Sequence, residues 1–257
     1  MPPVLRAALW MLGTLTSLAL MAIAGRELSA ELSTLQILFF RSAIGLVIIL
    51  AVIWRVGRHH LTTLQPGLQI LRNAAHYIGQ FGWFYGISLL PLAQVFALEF
   101  TMPVWATLLA PLLLKEQITP RRALVVAIGF AGILIVVRPG LVTISPAALA
   151  VLMAAVGYAF AYTLTKKLTR TDTALAIVFY MCLVQLPLGL IPSLFDWVNP
   201  SAAMWPWILA VSVTGLSAHY CLARAFAEAD AIIVVPMEFL RLPLIAVAGL
   251  LFYGEPL

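Results

Sequence analysis

The sequence predicts an all-α integral membrane protein, and three observations carry that prediction. Of 257 residues, 63% are hydrophobic and only 10% charged, with a mean hydropathy of +1.05. A soluble domain of this size is about half apolar and roughly one quarter charged, so lipid must be the solvent for most of the chain. Apolar stretches of membrane-crossing length recur from end to end, and the polar segments between them (RVGRHHLTTLQPG, KEQITPRR, RPGLVTIS, KKLTRTDT, DWVNPSAA) are too short for a soluble domain.

A helix rises about 1.5 Å per residue, so about 20 apolar residues cross the hydrocarbon core. The first span, 7–25, follows a basic residue and ends in small residues, as a secretory signal does. Its apolar stretch exceeds the roughly 7–15 residues of a signal core, and further apolar segments follow at once, so it reads as a retained helix. The second span, 33–54, stops at RVGRHH, and the third, 70–90, begins after QPG. Only the nearly uncharged ISLLPLAQ separates it from the fourth, 92–114. The glycine-bearing fifth falls at 122–138, the sixth at 145–165, the seventh at 174–195, the eighth at 205–226 and the ninth at 231–253. Nine helices are therefore expected, since lipid obliges each span to satisfy its own backbone and the alternation of a barrel strand is missing.

Arg6, Arg55, Arg58, Lys115, Arg121, Arg122, Lys166, Lys167 and Arg170 fall at the N-terminus or after even-numbered spans. The opposite loops hold only Arg26 and Arg138. Cationic loops stay inside, which puts the N-terminus in the cytoplasm of an inner-membrane protein and the last residue outside. The net charge of +5 is scattered over these loops, so no nucleic-acid partner is expected. Cys182 and Cys221 lie far apart and say nothing about redox compartment.

FALEFTMPVWATLLAPLLLKEQ (96–117) and VPMEFLRLPLIAVAGLLFYGEP (235–256) share a pattern. Glu99-Phe100 matches Glu238-Phe239, and 17 residues later Glu116 matches Glu255. Pro103 and Pro243 follow in their respective copies, while AAHY at 74–77 and SAHY at 217–220 echo each other out of this register by four residues. An odd number of spans separates the copies, so the second runs through the membrane the other way. Inverted repeats of this kind are a mark of transporters with a site between the halves.

Residues 90–140, LPLAQVFALEFTMPVWATLLAPLLLKEQITPRRALVVAIGFAGILIVVRPG, resemble the end of a bacterial EamA-type repeat of the drug/metabolite transporter superfamily. AFAEADAIIVVPMEFLRLPLIAVAGLLFYGEP is similar to the matching part of the other repeat. The resemblance implies two repeats, residues 1–140 with five helices and 141–257 with four, walling a central cavity. It also implies ten helices with both termini cytoplasmic. The chain stops at Gly254-Glu255-Pro256-Leu257, where the family continues into a tenth span, so a fragment is expected. Substrates implied by the family include amino acids, nucleoside-like compounds, adenosylmethionine-type metabolites, vitamins such as riboflavin, and amphiphilic drugs.

The polar residues inside the spans are the candidate substrate and coupling groups. A charge at mid-bilayer costs about 2.5–3.5 kcal/mol on insertion scales. Glu238 has Arg241 three residues on, on the same helical face, as a structural ion pair or a cavity-lining one. Glu99 has no local cation, so its partner comes from another helix, such as Arg41, or it is a protonated acid and a proton-coupling candidate. Arg41 is a cavity cation for an anionic or carboxylate substrate. His76 and His219 are proton shuttles or hydrogen-bonded packing residues, and Tyr158 and Tyr162, one turn apart, can stack on a flat ligand. His59-His60 reads as a solvated loop pair. Glu116 and Glu255 read as helix-ending and gating residues. Gly79, Gly82 and Gly86, like Gly129 and Gly132, mark close helix contacts, and Pro103, Pro111, Pro236 and Pro243 bend their helices. Trp83, Tyr85, Trp105 and Tyr180 divide between interface belt and interior.

No metal spacing, nucleophilic constellation or phosphate-binding loop is present, so neither cofactor, enzyme activity nor ATP-driven transport is expected. The reading is a secondary carrier of a small organic metabolite by alternating access, with protons or a counter-solute as coupling partner. The rival readings are a membrane scaffold subunit and a membrane enzyme. Oligomeric state is not encoded in these features.

Overall fold

The computed structural model describes residues 1–115 and 145–255, together with Thr119, Pro120, Ala123, Leu124, Ala127, Ile128, Phe130 and Ala131. The expected fifth span, with Gly129, Gly132, Arg121, Arg122 and Arg138, lies largely outside these residues, as does Glu116. The helices are α1 (Pro3–Leu28), α2 (Thr34–Val56), α3 (Pro66–Leu89), α4 (Leu92–Glu99) and α5 (Met102–Leu114). They continue as α6 (Pro146–Leu168), α7 (Ala174–Ser193) and α8 (Trp205–Glu228). A single turn, Ala231–Val234, and a 3-10 stretch, Val235–Leu240, then lead into α9 (Arg241–Tyr253).

Local chemistry sets the boundaries. Ser33, Ser145 and Thr173 each accept the N–H of the residue three further on, capping α2, α6 and α7. Prolines occupy the first turns of α1, α3, α6 and α8, where a missing N–H costs nothing. α5 and α9 both end on a left-handed residue, Lys115 and Gly254, each at φ 61°. The left-handed region suits glycine, and Lys115 holds it without that freedom.

Seven helical segments are long and apolar enough to cross a membrane among the described residues, which corrects the expected nine. The shortfall has two sources. The fifth span is not described, and α3, although 24 residues long, buries Gln69, Arg72, Asn73, His76 and Gln80. Large side chains such as Leu12, Val47, Trp54, Leu112 and Phe252 are exposed, whereas the buried set contains arginines, glutamates and histidines. This apolar-out, polar-in arrangement is what a bilayer selects, and the chain is an all-α multi-pass membrane protein.

The closest packing pairs α1 with α8, α3 with α6 and α2 with α7. α3 and α6 approach closely because α3 presents glycines, as the sequence indicated. A Cβ at Gly82 would collide with the Ala150 carbonyl, and one at Gly86 with the Val151 side chain. Replacing Gly82 by alanine forces backbone apart rather than a flexible side chain. The expected outcome for Gly82→Ala is a loss of roughly 1–3 kcal/mol of stability, read as a lower thermal midpoint in detergent, whereas Gly67→Ala, facing open space, leaves it unchanged.

The element boundaries recur along the chain. Moving α3 and α5 on by the Glu99-to-Glu238 interval gives the limits of α8 and of α9, and moving the start of α4 gives Ala231, where the next helical turn begins. Both acids lie where regular α-helix is interrupted: Glu99 ends α4 before the break at Phe100–Thr101, and Glu238 lies inside the 3-10 stretch that precedes α9.

Candidate functional site

Three of the expected residues form one buried ion cluster. Arg241 Nη2 donates to Glu99 Oε1 at 2.7 Å and lies 3.4 Å from Glu238 Oε2. The indole N–H of Trp83 donates to the other oxygen of Glu99 at 2.8 Å. The guanidinium also sits over the Phe96 ring, 4.7 Å from its centroid. Glu99 therefore does pair with another helix, but the partner is Arg241 and not Arg41. The local Glu238–Arg241 pair is the longer of the two contacts. Glu238 is fully buried, and neither of its oxygens accepts a hydrogen bond among the described residues. Two carboxylates share one cation, leaving a single negative charge that a proton or a bound cation would neutralise.

The two histidines expected separately stand together. The rings of His76 on α3 and His219 on α8 are 4.5 Å apart at 88°. His76 Nδ1 is 2.9 Å from Gln185 Nε2, while its Nε2 and both nitrogens of His219 lack a partner among the described residues. Tyr158 follows at 5.5 Å from His76, Tyr162 at 6.3 Å from Tyr158, and Phe226 at 5.9 Å from Tyr162. Tyr158 is within electrostatic reach of Glu99, Arg41 and Arg241 alike, so the tyrosines bridge the acid cluster and the histidine pair. Gly79 admits this ring: a Cβ there would stand 2.8 Å from Tyr158.

Arg41 enters from α2 and reaches Met181 Sδ at 3.9 Å. Sequence reading missed its neighbours Arg72, Asn73, Gln80 and Gln185. Arg72 donates to Thr165 Oγ1 at 3.0 Å and to Asn73 Oδ1 at 2.6 Å. Gln80 has no hydrogen-bond partner for either side-chain polar atom among the described residues. The signal was available: Arg72, His76 and Gln80 repeat every four residues, with Asn73 beside them, a polar stripe along one helix face. So many buried polar atoms without partners mark a wetted or ligand-binding interior, since each costs about 1–3 kcal/mol if left dry.

Both ends of the bundle are fastened. At the face opposite the N-terminus, Arg26 pairs with Glu255 at 2.5 Å and donates to the Leu90 carbonyl at 2.8 Å. Glu255 also accepts the Leu92 N–H at 2.7 Å, and Tyr253 donates to Glu27 at 2.9 Å. At the N-terminal face, Arg6 pairs with Glu228 at 2.7 Å, and Lys166 donates to the carbonyls of Phe226 and Ala229, each at 2.7 Å. Asp172 gathers Thr63, the Leu64 N–H and Gln69 there. His60 lies 2.9 Å from the Thr173 hydroxyl, and partial burial with His59 beside it holds its imidazole below the usual range.

The two fastenings are made by matching residues. Ser29 Oγ donates to the Arg26 carbonyl, and Thr169 Oγ1 to the Lys166 carbonyl. Ser33 and Thr173 cap the next helices. Arg26 reaches Leu90 before α4, and Lys166 reaches Ala229 before Ala231–Val234. The model of the EamA-like transporter family matches residues 5–138 and again 145–257. The chain belongs to the EamA-like transporter family. It is a transporter of the drug/metabolite superfamily, and family and relatives alike point away from an enzyme. Among curated relatives, an S-adenosylmethionine uptake transporter of Rickettsia prowazekii is 24% identical over 246 residues, 96% of this chain and 84% of that protein. A riboflavin transporter of Vibrio cholerae is 31% identical over 255 residues, covering 97% and 86%. A pseudopaline exporter of Pseudomonas aeruginosa is 30% identical over 235 residues, covering 90% and 81%. A solved crystal structure superposes with a TM-score of 0.77 at 17% identity, covering 96% of this chain and 88% of that one, a likeness of fold.

Proposed function

We propose that this secondary transporter carries a small, polar, ring-bearing metabolite, of the kind represented by S-adenosylmethionine or riboflavin, through the interior between α2, α3, α6, α7 and α8. The observation that carries the reading is the buried polar interior of an apolar bundle, from Glu238 past Tyr162, Tyr158 and the histidine pair to Arg41. The halves 1–140 and 141–257 act as inverted repeats, a reading supported by the recurring boundaries, by the exchange of packing partners and by the paired fastenings. Positive loop charge puts the N-terminal face in the cytoplasm. Alternating access then consists of releasing one fastened end while the other holds.

Coupling to protons is assigned to Glu238 in place of Glu99. Glu99 has a 2.7 Å guanidinium and an indole donor, while Glu238 holds the longer contact with Arg241 and accepts no hydrogen bond among the described residues. Reconstituted protein is expected to take up labelled S-adenosylmethionine or riboflavin, faster under an imposed pH gradient. Glu238→Gln is expected to remove the gradient response while leaving exchange of labelled for unlabelled solute. Uptake of neither compound sinks the substrate class, and an unaltered gradient response in Glu238→Gln sinks the coupling site.

A further inference from the structure

Six charged side chains are buried among the described residues: Arg41, Arg72, Arg241, Glu99, Glu238 and Asp172, the last of them at the N-terminal face with Thr63, Leu64 and Gln69. Arg241 is neutralised by Glu99 and Glu238. Arg41 and Arg72, at 3% and 1% exposure, have no carboxylate within ion-pair distance among the described residues. Among the described residues Arg41 has a thioether, a weak acceptor, as its hydrogen-bond partner, and its Nε has none. Arg72 has two neutral oxygens, from Thr165 and Asn73.

The two guanidiniums lie on either side of the histidine pair. Arg72 donates to Asn73, whose carbonyl accepts from Gln185, the partner of His76, and His76 meets His219, one turn along α8 from Gly215, against which Arg41 lies. Gly215 on α8 makes the room, since a Cβ there would stand 2.5 Å from Arg41 Nε. Two desolvated like charges repel, and among the described residues no carboxylate pairs with either. A planar oxyanion offsets them with the geometry a guanidinium fork matches best. At the other end of the tyrosine bridge, Glu238 shares Arg241 with Glu99 at the longer distance of 3.4 Å, and neither of its oxygens accepts a hydrogen bond among the described residues.

We infer that the cargo is a zwitterion whose carboxylate is held by Arg41 and Arg72 and whose cationic group faces Glu238, with Tyr158 and Tyr162 between the poles. The inference rests on the transporter reading and narrows its substrate class. It selects amino-acid-type solutes over uncharged ring compounds.

The test uses the purified full chain and three probes in a binding titration: S-adenosylmethionine, its decarboxylated analogue, which keeps the sulfonium, ammonium and adenine, and uncharged riboflavin. Loss of the carboxylate is expected to weaken binding about tenfold or more, as for hydrogen bonds to a charged group. Arg41→Gln and Arg72→Gln are each expected to bring both adenosyl compounds to the same weak affinity, with Arg41→Lys recovering part of the difference. Equal binding of the two compounds by the unmodified chain overturns the inference, even if the variants fail to fold. So do a difference that persists in both variants, tighter binding of riboflavin, and no binding of S-adenosylmethionine. Carboxylate-dependent binding by a protein that moves nothing across proteoliposomes refutes the transporter reading and leaves the carboxylate site standing.

Discussion

Arg241→Met is expected to destabilise the protein by about 3–5 kcal/mol, the cost of removing one partner from a buried ion pair. Two acids, at 3% and 0% exposure, then lose their cation together. At roughly 2–4 °C per kcal/mol for a chain of this size class, the thermal midpoint in detergent falls by about 10 °C. Glu99 holds the shorter contact, so Glu99→Gln in the Arg241→Met background recovers part of the loss. Adding Glu238→Gln recovers most of the remainder. A merely steric role for Arg241 predicts no such recovery, because neutralising the acids restores no volume. A midpoint unchanged by Arg241→Met, or a triple variant as unstable as the single one, rules out the shared-cation account.

That cluster was half legible in the sequence, and the missing half has a physical cause. An acid inside an apolar run is conspicuous because lipid makes it costly, so Glu99 and Glu238 stood out with their common spacing. What crosses the bundle leaves no local trace. Arg241 sits three residues from Glu238, which suggested the local pair, yet its stronger bond goes to a residue 142 positions away. The same limit hid the meeting of His76 with His219, each of which looked solitary within its span. Arg72 was overlooked for a different reason: a span placed at 70–90 puts it at the helix end, where cations are ordinary. The structure begins α3 at Pro66, which moves Arg72 well inside. Fold class, span positions and glycine contacts depend on periodicity and size, and these were readable. Loop charges were legible as orientation but silent on pairing, which is why Glu255 was seen as a gating residue without Arg26 as its partner.

Glu255→Gln is expected to loosen the face opposite the N-terminus by roughly tenfold or more. The side chain ties two segments to the end of α9, Arg26 of α1 at 2.5 Å and the Leu92 N–H that opens α4 at 2.7 Å, while the backbone Glu255 N–H donates to the Gly249 carbonyl at 3.1 Å and is kept in the variant. The amide keeps one acceptor but loses the charge. Hydrogen bonds to charged groups contribute about 1.5–3 kcal/mol, and each 1.4 kcal/mol is a factor of ten in the equilibrium between closed and open ends. Partial exposure of Arg26 places the expected value at the low end of that range. The readout is already in the chain. Cys182 is a free thiol, 2% exposed, within reach of Arg41 and Arg72, so it reports opening of the interior. In a Cys221→Ala background, a membrane-impermeant thiol reagent added from outside is expected to modify Cys182 about tenfold faster in Glu255→Gln. Arg6→Gln, which frees Glu228 at the N-terminal face, is expected to shift labelling the other way, because alternating access makes the two ends compete for the same set of helices. Labelling that rises equally in both variants would describe general loosening and not a pair of opposed gates. Labelling unchanged in both would mean that the fastenings bind surface segments with no hold on the interior.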